Sequence, residues 1–76
     1  MIEIRFEGSF DELTVVIVNH DEKTFAVTDL ETANEMVDFE AEGVNPNLEN
    51  AEDMWVQDLG MFLDYLEGQG YEREDD

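Results

Sequence analysis

The chain predicts an α+β fold: a three-stranded antiparallel meander followed by two helices packed on one face of the sheet. Three observations carry this expectation. Ile2, Ile4 and Phe6 alternate with Glu3, Arg5 and Glu7, the period of a half-buried strand. Residues 13–18 read Leu-Thr-Val-Val-Ile-Val, a mostly β-branched run with apolar groups on both faces, as in a central strand. Leu48, Ala51, Trp55, Leu59, Phe62 and Leu66 recur at spacings of three and four, one long amphipathic helical stripe.

The remaining elements follow in order. Gly8 and Ser9 form a turn after the first strand, and Asn19, His20, Asp21 and Glu22 form a polar turn after the second. Thr24 to Thr28 alternates again, with Phe25 and Val27 on one face. Short connections make the three strands an antiparallel meander. Thr28-Asp29-Leu30-Glu31 and Thr32-Ala33-Asn34-Glu35 both fit a capping box, so the first helix starts at one or the other. Leu30, Ala33, Val37 and Ala41 give it an apolar face, and Gly43 stops it. Asn45-Pro46 opens the second helix, and Gly68 and Gly70 end it. Residues 1–70 are expected to form one domain, and residues 71–76 a frayed acidic tail.

Composition narrows the function. The 76 residues hold 22 acidic and 3 basic side chains, a formal net charge of -19. Phosphate binding needs clustered Lys and Arg, so direct binding to nucleic acid is excluded, as is docking on an anionic membrane. With no cysteine, one histidine and one serine, thiolate, disulfide and Ser/His chemistry lack raw material. Abundant carboxylates raise the question of metals and of paired acid–base catalysis. The spaced ligands and central glycine of an EF-hand are absent, and no length exists to bury and tune a catalytic pair. The expectation is a protein that is not an enzyme, without cofactor or metal. Hydrophobic residues make up 42% of the chain and are patterned, which favours a fold over disorder. The charged N-terminus has no long apolar run, so neither signal peptide nor membrane span is expected, and a cytoplasmic location is the default.

The carboxylates have an order of their own. On a helical wheel Glu31, Glu35, Asp38 and Glu42 fall within about 60° of each other, away from Leu30 and Val37. Glu49, Asp53, Asp64 and Glu67 share one face of the second helix. Neighbours one turn apart lie about 5–6 Å from each other, close to the spacing of phosphates along one DNA strand. Like charges so placed cost a few tenths of a kcal/mol per pair, and no lysine compensates. An ordinary solvated face mixes signs.

In size, acidity, small meander and carboxylate-lined helices, the chain resembles small phage-encoded inhibitors of bacterial defence. Some anti-CRISPR and anti-restriction proteins of this kind are DNA mimics. The resemblance covers composition, size and coarse architecture and rests on no diagnostic motif. It implies that the carboxylates fill a Lys/Arg-lined DNA channel of a Cas effector or restriction enzyme, blocking target binding by a monomer or homodimer. Two other readings stand beside it: a halophilic interaction module with a salt-adapted acidic surface, and an antitoxin that neutralises a basic toxin.

Some single residues carry two readings. Phe39 falls on the acidic side of the first wheel, either as an aromatic anchor for the partner or as packing beyond a misplaced helix boundary. Met54, Met61 and Tyr65 flank the second stripe and either widen the core or form an adaptable contact. Trp55 lies in the stripe, as core. Tyr65 and Tyr71 are further candidates for desolvated contacts. Gly60 bends the helix or admits a partner. His20 reads as a solvated turn residue.

Overall fold

The computed structural model describes residues 1–8, 12–43 and 54–74. Three strands form the expected meander: β1 (Ile2–Gly8), β2 (Leu13–Asn19) and β3 (Thr24–Asp29), each antiparallel to the next. Two helices follow, α1 (Leu30–Met36) and α2 (Phe39–Glu42), then α3 (Leu59–Gly68) and a short strand β4 (Glu72–Arg73). The sheet order is β1-β2-β3-β4, with β4 parallel to β3. No described helix is long and apolar enough to cross a membrane.

Register divides the sheet into two faces. Ile4 lies opposite Ile17, Phe6 opposite Val15, and Ala26 opposite Ile17. Ile4, Phe6, Val15 and Ile17 form one core with Ala33 of α1 and Phe39 of α2, closed by Leu13, Val37, Met54 and Trp55. The alternate residues Val16, Val18 and Phe25 form a second core with Leu66 of α3, closed by Val27, Leu59, Phe62, Leu63 and Tyr71. The helices therefore cover opposite faces, which corrects the expected packing on one face. The reason lies in β2. Val15 to Val18 are all buried, and alternate residues of a strand point to opposite sides. Each such side chain gains about 1.5–3 kcal/mol on burial, so both faces need a cover.

Both helical stretches break where the two cores demand it. Asp29 is the N-cap of α1, its carboxylate accepting the Thr32 N–H at 2.7 Å. Val37 is extended, so the single helix expected through Glu42 is two helices. Asp38 caps α2 by accepting the N–H groups of Glu40 and Ala41 at 3.1 and 3.3 Å. On an unbroken helix Phe39 would point opposite Leu30, into solvent. The break turns its ring onto Phe6, edge-on with centroids 6.3 Å apart.

The second expected helix is shorter. Its first part lies outside the described residues, and Trp55 is not helical but forms a parallel bridge with Phe6. The Val56 N–H bonds the Phe6 carbonyl at 2.7 Å. Asp58 then caps α3 through the Met61 N–H at 3.1 Å. Trp55 serves the first core and Leu59 the second, so the chain passes the β1 edge between them. One straight helix cannot serve both faces of a sheet, and the stripe splits there.

The tail is also corrected. Gly70, at φ +91°, reverses the chain after α3. The Glu72 N–H bonds the Lys23 carbonyl at 3.0 Å, and the Glu74 N–H bonds the Phe25 carbonyl at 2.8 Å. The domain thus runs through Glu74 rather than stopping at residue 70. At the other end of the sheet Gly8 is required twice over: its φ is +98°, and a Cβ there would meet the Glu12 carbonyl oxygen at 2.6 Å.

Candidate functional site

Glu31 and Glu35 lie one turn apart on α1, both exposed. Asp38 is exposed too, but its carboxylate is occupied in capping α2. Glu40 is exposed beside it, and Glu42 is the last residue of α2. The expected row Glu31–Glu35–Asp38–Glu42 is therefore interrupted at Val37 and Asp38. Phe39 is withdrawn as a partner anchor: it is only 6% exposed and belongs to the core. The large exposed apolar groups of α1 are instead Leu30 and Met36.

Asp64 and Glu67 are exposed on α3, across the sheet from α1. Glu49 and Asp53 lie outside the described residues. The wheel that joined Asp53 to Asp64 does not hold, because the chain from Trp55 to Asp58 is not helical. Met54 packs in the first core, whereas Met61 and Tyr65 are 71% and 56% exposed on α3. These two are surface residues rather than a widened core.

The basic groups are gathered on the α3 side. Arg5 alternates with Ile4 and Phe6 and so points away from the α1 core. It pairs with Glu3 on the same face of β1. Lys23 ends the β2–β3 turn, where Asn19 accepts the N–H groups of Asp21 and Glu22. Arg73 lies opposite Phe25, which belongs to the α3 core. With His20, these are all the Lys, Arg and His residues of the chain. The α1–α2 side presents none among the described residues.

His20 is not a solvated turn residue. Its Nε2 donates to Glu3 at 2.6 Å, since a carboxylate only accepts. In the neutral ring, Nδ1 then accepts from the Tyr71 hydroxyl at 2.7 Å. The Tyr71 and His20 rings meet edge-on at 5.6 Å. Burial pushes the Glu3 carboxyl up, but the hydrogen bonds from His20 and Arg5, with their charge, hold it below its ordinary value. The cluster joins β1, the β2–β3 turn and the segment after α3.

A pocket of about 350 Å³ opens over this cluster. Glu3, Arg5, His20 and Lys23 line it from the sheet; Phe62, Tyr65, Leu66, Gln69 and Tyr71 line it from α3 and beyond. Lys23 has φ +58°, the one positive φ at a described non-glycine residue. That conformation costs a side-chain-bearing residue about 1–2 kcal/mol. Sequence reasoning missed the pocket, because His20 and Tyr71 stand 51 positions apart. The available signal was narrower: Glu3 and Arg5 alternate with the apolar residues of β1 and so share its other face. No protein family, curated protein or solved structure matches the chain.

Proposed function

We propose that the protein is an acidic decoy of nucleic acid. It occupies the basic nucleic-acid-binding site of a host defence protein, a CRISPR effector first and a restriction enzyme second, and blocks target DNA. The observation that supports this is the segregation of charge. In a chain of net charge -19, every basic side chain lies on the α3 side or in the adjoining turn. The α1–α2 side, with exposed Glu31, Glu35, Asp38 and Glu40, carries no described cation to weaken its field. A Lys/Arg-lined channel attracts such a surface over long range, which speeds association and makes it salt-sensitive. Charge alone gives little affinity, so contacts that exclude water are needed at its centre. Leu30 and Met36, the exposed apolar groups of α1, flank the acidic face and are the candidates for this.

The test is phage plaquing on cells that express the protein across a panel of CRISPR-Cas types and restriction systems, each strain immune to the test phage. Plaquing is expected to return on at least one system. Joint Glu31→Lys and Glu35→Lys substitution is expected to abolish the effect, and joint Asp64→Lys and Glu67→Lys substitution, with the same change of charge, to spare it. Equal loss in both pairs would assign the effect to total charge rather than to the α1–α2 side. No restored plaquing on any system would remove the defence-inhibitor reading.

A further inference from the structure

We propose that the pocket between β1, the β2–β3 turn and α3 is a binding site for a small planar anion: an aromatic ring that carries a phosphate or carboxylate. The proposal is independent of the decoy reading, because the pocket lies on the other side of the sheet from α1.

Its lining reverses the sign of the rest of the molecule. Two of the three cations, Arg5 and Lys23, face it together with the sole histidine, against one carboxylate. That carboxylate, Glu3, already accepts from both His20 and Arg5. It therefore holds Arg5 and His20 in place and repels an incoming anion less than a bare carboxylate would. Lys23 has a second peculiarity. The end of a tight turn in left-handed conformation suits Gly or Asn, yet a lysine stands there and reaches the pocket. The turn needs a left-handed residue there, and the strain of using a lysine for it is a pointer to function when it delivers a charge to a cavity.

The remaining walls are aromatic. Phe62 is half-buried, Tyr71 is locked by its bond to His20, and Tyr65 stands exposed at the rim. Tyr65 offers a ring face for stacking, which flat ligands accept with little regard to sequence or substituent. Gln69, exposed after α3, supplies both a donor and acceptors for a ring edge. The volume, about 350 Å³, falls at the small end of ligand pockets and suits a single ring system with one anionic group. Charged groups from the sheet and its turn thus face aromatic groups from α3 and the segment after it, the two halves that a ring with an anionic group would need.

The test uses the full chain, nitrogen-labelled for amide NMR, in about 0.15 M salt, which screens the molecule's negative field beyond about 8 Å. The probes are AMP and 4-hydroxybenzoate, which carry ring and anion together, with adenosine and ribose 5-phosphate, which carry one each. AMP, 4-hydroxybenzoate or both should give saturable shifts at His20, Lys23, Tyr65 and Gln69, with Kd below about 1 mM. A tighter AMP complex makes the natural ligand nucleotide-like, and a tighter 4-hydroxybenzoate complex makes it an aromatic acid. Adenosine and ribose 5-phosphate should bind at least about tenfold more weakly, the loss expected for one missing charge-assisted or stacking contact. Lys23→Gly should raise Tm by relieving the strained backbone while weakening binding about tenfold, and Tyr65→Ala should weaken it similarly with the fold intact. The proposal falls if neither bipartite probe shifts these residues up to about 10 mM, or if either variant binds as the parent does. It falls equally if a half-probe binds as tightly as the whole.

Discussion

On the α1 side of the sheet the cover is complete: Phe6 and Val15 are fully buried beneath Phe39, Ala33 and Trp55. On the α3 side the cover is partial. Leu66, Phe62 and Leu59 seal Val16, Val18 and Phe25, but β1 contributes Glu3 and Arg5 there instead of apolar residues. The two sides thus differ in what they turn to solvent. The sealed side turns unrelieved carboxylates outward, and the partly open side collects the cations, His20 and a pocket. The difference traces to one strand. β2 is apolar on both faces, whereas β1 is apolar on only one, so the second core stops short of β1 and leaves a polar cavity.

The strongest way to break this comparison is to unseal the complete side. Phe39→Ala is expected to cost about 3–5 kcal/mol, enough to unfold a domain this small. Thermal denaturation followed by circular dichroism measures it, and a loss below about 1 kcal/mol would put Phe39 outside the core. A smaller effect sharpens the role of the acids. Asp38→Ala should cost about 1 kcal/mol through the lost cap, and Asp38→Asn much less, since Asn also caps. Glu35→Ala should change stability by less than either, because Glu35 is an exposed helix-surface residue with no cap to lose. If Glu35 and Asp38 behave alike in urea titrations, their separation into surface and structural carboxylates fails.

The smallest expected effect lies on the open side and depends on pH. The folded Glu3 carboxyl sits below its unfolded value, near 4.5, so the unfolded chain binds the extra proton as pH falls. The Glu3 contribution is therefore fully present above about pH 4.5 and is lost as pH drops through the lower, folded value. Asp21 and Asp29 are also held low, Asp21 by hydrogen bonding to the N-terminal amine and Asp29 by the Thr32 N–H, and they act in the same direction. Comparing Glu3→Gln with the parent isolates Glu3. The variant should lose less stability between pH 5 and the acid limb, and identical acid limbs would remove the Glu3–His20–Arg5 cluster from the ledger.

Local pattern determined much of this protein. Period-two alternation set β1 and β3, the β-branched run set β2 at the centre, and short polar turns forced the meander. The sign of the surface was settled by composition alone. Even the second helical layer was written in Val15–Val18, whose apolar groups on both faces need two covers. What a helical wheel could not supply was where a helix breaks. Trp55 fits its helical stripe and Phe39 falls off its own, yet both rings pack against Phe6, and the helix is broken at Val37 and from Trp55 to Asp58. Those breaks depend on what lies across the sheet. Tertiary structure likewise decided that the tail adds a strand. It alone brought Glu3, His20 and Tyr71 together, because hydrogen bonds between distant positions leave no period in a sequence.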